Sequence, residues 1–148
     1  MFKKIIYNLC FLSLFLSHSI FSLESIEWHK DYKKAVQLSQ SSKKPILIYF
    51  SGSDWCGWCI KLKKSVLDSK SFASIVGDQF IFLKIDFPRK FHPREKNAKQ
   101  NIELKRQFDV RSFPTLLILD EKQREIDRLG YYAISPQKYA KKIFNTLK

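Results

Sequence analysis

Two cysteines three residues apart, Cys56 and Cys59, are the side chains in this sequence best placed to do chemistry. A Cys-x-x-Cys pair serves thiol–disulfide exchange, half of a zinc site, or c-type haem attachment. Haem attachment needs a His directly after the second Cys, and position 60 is Ile. Structural zinc needs four ligands, usually Cys and His at matched spacings. There is no second Cys pair, and His29 and His92 lie far apart along the chain. Zinc shared across a dimer stays open behind redox exchange. A disulfide closing so short a loop adds little stability, so the pair points to chemistry rather than to a structural clip.

The elements around the pair must put one sulfur within reach and hold the other back. Ile46–Phe50 is a continuous apolar run, as in a strand buried on both faces of a mostly parallel sheet. Ser51–Asp54 then turns the chain, and a helix is predicted from Trp55 to about Leu67. Cys56 falls at its first turn, where unpaired backbone N–H groups and the helix dipole favour a thiolate. The thiolate is the attacking species. Cys59 is one turn on, facing the core, placed to attack the sulfur of Cys56 and resolve a mixed disulfide. Trp55 and Trp58 flank the pair. Trp55 is expected to offer a flat apolar surface to an extended substrate; for Trp58 the same role and a plain covering role stay equally open. Phe113-Pro114-Thr115 precedes a later strand, and its composition alone reads as an ordinary trans turn.

The rest of the chain alternates. Glu24–Gln40 is predicted as a helical region, with Trp28, Tyr32, Ala35, Val36 and Leu38 on its apolar side. Ser71–Val76 reads as a short helix and Phe80–Asp86 as a second buried strand. Phe87–Gln100 is a basic loop passing into a helix near Glu95. That helix runs to Phe108 and turns Ile102, Leu104 or the stem of Lys105, and Phe108 inward. Thr115–Leu119 is a third strand and Arg124–Leu129 an edge strand after a turn at 120–123. Ser135 followed by Pro136 marks the N-cap of a last helix, with Phe144 and Leu147 on its apolar side. Alternation early and a hairpin late predict an α/β fold with a central mixed sheet flanked by helices.

The chain is 148 residues long with a formal net charge of +13, and 45% of its residues are hydrophobic. That suits one globular domain and excludes disordered, repeat and large multidomain designs. Residues 1–22 have a secretory leader's layout: Lys3 and Lys4, an apolar stretch from Ile5 to Phe21, then small polar residues. Cleavage is expected near Ser22, or else Ser19, leaving 23–148 as the working domain. An uncleaved membrane anchor is the alternative. A lipoprotein cut at Cys10 lacks the small residues that should precede it. Removal of the leader takes Cys10 and leaves a single close dithiol. Export argues against nucleic acid as the partner of the basic surface.

The motifs Trp55-Cys56-Gly57-Trp58-Cys59 after an apolar strand, Lys84-Ile85-Asp86 closing a second, and Val110-Arg111-Ser112-Phe113-Pro114-Thr115 before a third resemble thioredoxin. They occur in the family's order across essentially all of 23–148, and Ser51–Cys59 is similar to exported thioredoxin-like proteins of the bacterial periplasm. The resemblance implies a thioredoxin-like fold, Cys56 as nucleophile and Cys59 as resolving thiol. It also implies a cis Pro114 packed against the dithiol, and a Phe113 backbone that pairs with the substrate strand. Two departures stand out. Thioredoxin has a buried Asp on the strand leading to its dithiol, whereas Ile46–Phe50 holds no acid, so Lys84 lacks the partner the family provides. Gly57-Trp58 replaces the family's Gly-Pro.

These readings converge on a periplasmic disulfide reductase with disulfide-bonded exported proteins as substrates, acting as a monomer. Gly57 and Trp58 carry neither the charge nor the His by which strongly oxidising relatives stabilise their thiolate. The alternatives are an isomerase or oxidase of the same fold, and a non-catalytic module whose basic 87–100 segment binds an acidic partner or an anionic membrane. No metal or organic cofactor is expected, because the redox group is the Cys56–Cys59 pair itself; no Gly-rich fingerprint follows a strand to mark an NADPH or flavin site. Electrons are expected from a membrane thiol carrier.

Overall fold

The computed structural model describes residues 25–92, 94 and 96–147. The expected leader 1–22, its cleavage points and Cys10 lie outside the described residues, as does Glu95. The elements are β1 (Trp28–His29), α1 (Tyr32–Ser42), β2 (Ile46–Ser51), α2 (Gly57–Leu62), a π-helical turn (Lys63–Leu67), α3 (Lys70–Val76), β3 (Ile81–Asp86), α4 (Ala98–Gln107), β4 (Thr115–Leu119), β5 (Glu125–Leu129) and α5 (Pro136–Phe144). Five strands form one sheet in the order β1-β3-β2-β4-β5. β1, β3 and β2 run parallel, while β4 and β5 are antiparallel to their neighbours.

β2 lies at the centre and every residue in it is buried. Its period-two alternation divides the core between the two faces of the sheet. Leu47 and Tyr49 face α2, the π turn, α3 and α5, where they join Leu62, Val66, Phe72, Tyr139 and Ile143. Ile46, Ile48 and Phe50 face the other side, with Ala35 of α1 and Leu104 of α4. The continuous apolar run is thus a strand covered on both sides, and the expected α/β fold with a mixed sheet is the one observed.

Three local expectations are corrected. Trp28 is in a strand, not a helix: it pairs with Phe82 and its ring packs on Tyr49 and Phe82 at 5.8 and 5.3 Å. The helix begins only after Asp31, whose Oδ1 accepts the Lys34 N–H at 2.9 Å as an N-cap. α4 begins at Ala98, and of the residues expected to face inward Leu104 and Phe108 do pack on the core while Ile102 does not. Ala98, Asn101 and Leu104 turn inward, and Ile102 stays 48% exposed. In α5, Tyr139, Ala140 and Ile143 form the buried face, with Leu147 packed at its margin. Ser135 does cap this helix, its side chain accepting the Lys138 N–H, with Pro136 at the first position. Among the described residues no helix is long and apolar enough to cross a membrane.

Candidate active site

The C-terminal end of β2 and the N-terminal end of β4 lie together because these strands are antiparallel neighbours, with Phe50 opposite Thr115. This brings the Cys pair and the Phe113-Pro114 segment, some 55 residues apart in sequence, to one end of the central strands. Cys56 is the N-cap of α2, and its Sγ accepts the Cys59 N–H at 3.2 Å. The two cysteines form a disulfide with Cα atoms 5.2 Å apart. Cys56 keeps 7% of its surface exposed and Cys59 only 1%. The Phe113–Pro114 bond is cis, as the family resemblance implies and against the trans turn that composition suggests.

The loop between β2 and α2 is held by one carboxylate. Asp86, last in β3, accepts from the Ser51 hydroxyl at 3.1 Å, the Ser53 N–H at 3.0 Å and the Ser53 hydroxyl at 2.6 Å. Lys84 Nζ lies 3.2 Å from the same carboxylate. Burial alone pushes the Asp86 carboxyl up. The Ser53 hydrogen bonds and the Lys84 charge outweigh it and hold the group below its ordinary value. Lys84 therefore has an acid after all, supplied two residues later on its own strand rather than from β2. Further along, Trp55 Nε1 donates to the Phe87 carbonyl at 2.7 Å, and the Asp54 carboxylate accepts the Arg89 N–H. The loops after β2 and β3 are thereby fastened together. Gly52 is required by close approach: a Cβ there would sit 2.3 Å from the Trp55 ring.

The aromatic residues form two groups beside the disulfide. Trp55, 44% exposed, packs edge-on against Phe113 at 5.9 Å; Phe113 stacks on Phe87, which meets Phe91. Trp58, 57% exposed, stacks on Tyr131 at 4.9 Å. Lys61 Nζ lies 5.4 Å from the Trp58 ring and 5.7 Å from that of Tyr131. Trp58 is therefore a surface residue. Pro114 is buried at the foot of β4.

Sequence reasoning noted Asp86 only as the end of the Lys84-Ile85-Asp86 motif and gave it no role, and it assigned nothing to Tyr131 or Lys61. Lys61 was legible as the residue three after Trp58 on one helix face. Nothing local marks Tyr131, which reaches Trp58 only through the fold. Among the described residues, no group of three His, Cys, Asp or Glu converges to hold a metal ion.

Residues 27–121 match the family model described as thioredoxin-like. The chain is 35% identical over 124 residues to the disulfide bond reductase DsbH of Chlamydia pneumoniae, covering 84% of this chain and 74% of that one. It is 38% identical over 110 residues to the thioredoxin-related protein DsbJ of the same organism, covering 74% of this chain and 31% of that protein. Among solved structures, a DsbH oxidoreductase superposes with a TM-score of 0.79 at 34% identity, over 84% of this chain and 85% of that one. A thioredoxin from Thermus thermophilus shares the fold, with a TM-score of 0.64 at 20% identity over 84% and 88% of the two chains. The sheet order, the capped Cys-x-x-Cys helix and these similarities agree: the chain belongs to the thioredoxin-like family and is a thiol–disulfide oxidoreductase.

Proposed function

We propose that this protein is a disulfide reductase acting on exported, disulfide-bonded proteins, with Cys56 as nucleophile and Cys59 as resolving thiol. The observation that carries the division of labour is the unequal exposure of the two cysteine residues at the head of α2. In the reduced protein the Cys56 thiolate attacks one client sulfur. The Cys56–client bond forms, the client S–S bond breaks, and the other client sulfur leaves as a thiolate and takes a proton. Cys59 then gives up its proton and attacks Sγ of Cys56. The Cys56–Cys59 bond forms and the second client sulfur departs. Two electrons and, through solvent, two protons have passed to the client. A dithiol donor at the membrane restores the pair.

Trp55, Trp58, Phe113 and Pro114 are the proposed substrate-binding residues, the aromatic rings supplying apolar contact and the 113–114 backbone an edge for an extended client. The reducing direction is supported by the setting of Cys56. Beyond the one backbone N–H that its sulfur accepts from Cys59, Gly57-Trp58 add no His or charge that would stabilise the thiolate and raise the potential. Residues 1–22 are proposed as a leader directing 23–148, as a monomer, to the periplasm, where no nucleic acid is at hand. The redox group is the dithiol alone, without metal or organic cofactor.

Equilibration with glutathione or dithiothreitol tests the direction, with insulin reduction as companion assay. A potential nearer the thioredoxin value of about −270 mV than the about −120 mV of strong oxidants is expected, and the latter value would remove the reductase reading.

A further inference from the structure

The reductase reading leaves one group unused. Lys61 follows Trp58 by three residues on α2, and its ammonium lies over both the Trp58 and the Tyr131 ring. The two rings are themselves stacked at 4.9 Å. The arrangement holds the charge beside an exposed apolar plate instead of letting it range through solvent. Among the described residues Lys61 has no carboxylate partner, in contrast with Lys63, paired with Asp68, and Lys84, paired with Asp86. The side chains of Arg89 and Lys90, in the loop fastened to Trp55, also form no ion pair with a carboxylate among the described residues, while the Asp54 carboxylate accepts the Arg89 backbone N–H.

We propose that Trp58, Tyr131 and Lys61 form a subsite for an acidic side chain in an extended client segment next to the disulfide being reduced. Lys61 receives the carboxylate, and the client's adjoining apolar stem lies on Trp58. The occupant is a protein segment, because the subsite adjoins Cys56 on the same helix and its flat aromatic plate suits an extended chain. This rests on the reductase reading and names its preferred substrate class: proteins whose disulfides sit in acidic stretches.

The test uses the purified, reduced protein and three synthetic disulfide peptides, identical except for Glu, Gln or Lys beside one Cys. Single-turnover reduction is followed at low ionic strength. The Glu peptide is expected to react faster than the Lys peptide by roughly two- to fivefold, the range an exposed ion pair supports. Salt should compress the ratio. Lys61→Gln should bring it close to one and Lys61→Glu should reverse it, while the rate with the Gln peptide stays within about twofold and the redox potential is unchanged. Equal rates for the Glu and Lys peptides, or a ratio that survives Lys61→Gln, would overturn the subsite. So would Lys61-dependent sedimentation with anionic lipid vesicles in the absence of any peptide preference. Failure to reduce even the Gln peptide would instead sink the reductase reading, so the two failures are told apart.

Discussion

The Tyr49 hydroxyl donates to the backbone carbonyl of Cys59 at 2.9 Å inside the core. Tyr49 lies on the strand where thioredoxin carries its buried acid, and burial pushes its hydroxyl well above the ordinary tyrosine value. It is therefore a permanent donor and a poor proton acceptor. The Cys59 carbonyl also accepts the Lys63 N–H, so the tyrosine adds a second bond rather than rescuing an orphan group. Its ring carries the larger load, packed against Trp28.

Tyr49→Phe should thus cost only about 0.5–1.5 kcal/mol in denaturant unfolding, the net value of one buried hydrogen bond. Tyr49→Ala should cost about 3–5 kcal/mol through the cavity it leaves. Equal losses in the two variants would mean that the hydroxyl, not the ring, secures α2.

Asp86 links stability to pH. Its carboxyl is held below the ordinary value of 3.8. A depressed folded value contributes stability that is present above the unfolded value and is lost as pH falls through the folded one. The acid limb of the stability curve should therefore be shallower in Asp86→Asn than in the parent, with the difference confined to pH below about 4. The same variant should slow client reduction at neutral pH, because the Ser51 and Ser53 contacts that hold the Cys56 loop are weakened. Identical acid limbs would show that the carboxylate charge has no such linkage.

Gly52→Ala places a methyl group into the Trp55 ring. The ring is tied at its other side by the Phe87 carbonyl, so loop and indole must move together. A loss of about 1–3 kcal/mol is expected, with a shift in tryptophan emission. Unchanged emission and stability would show that the loop yields freely.

The two thiols should separate cleanly. Cys59→Ser is expected to accumulate a mixed disulfide with clients, and Cys56→Ser to lose reduction altogether. Alkylation of the native reduced protein should modify Cys56 well before Cys59, as their unequal exposure requires. Trapping by Cys56→Ser instead would exchange the two assigned roles.

Residue types and spacing alone determined the dithiol, the strand delivering it, the helix carrying it and the order of most elements. These signals live in neighbours along the chain: an unbroken apolar run at 46–50, a Ser-Pro start at 135–136, two cysteines one turn apart. The tertiary structure decided what depends on contacts between distant segments. Trp28 became a strand residue because Phe82 and Tyr49 offered it a surface. The inward face of α4 was decided by Asn101, whose amide reaches the Asp86 carbonyl at 3.0 Å. Asp86 became the anchor of the Cys56 loop, and Tyr131 came to lie on Trp58, only once β3, β2, β4 and β5 were laid side by side. Local periodicity records which way a side chain faces, but the partner it meets there is set by which strands pair.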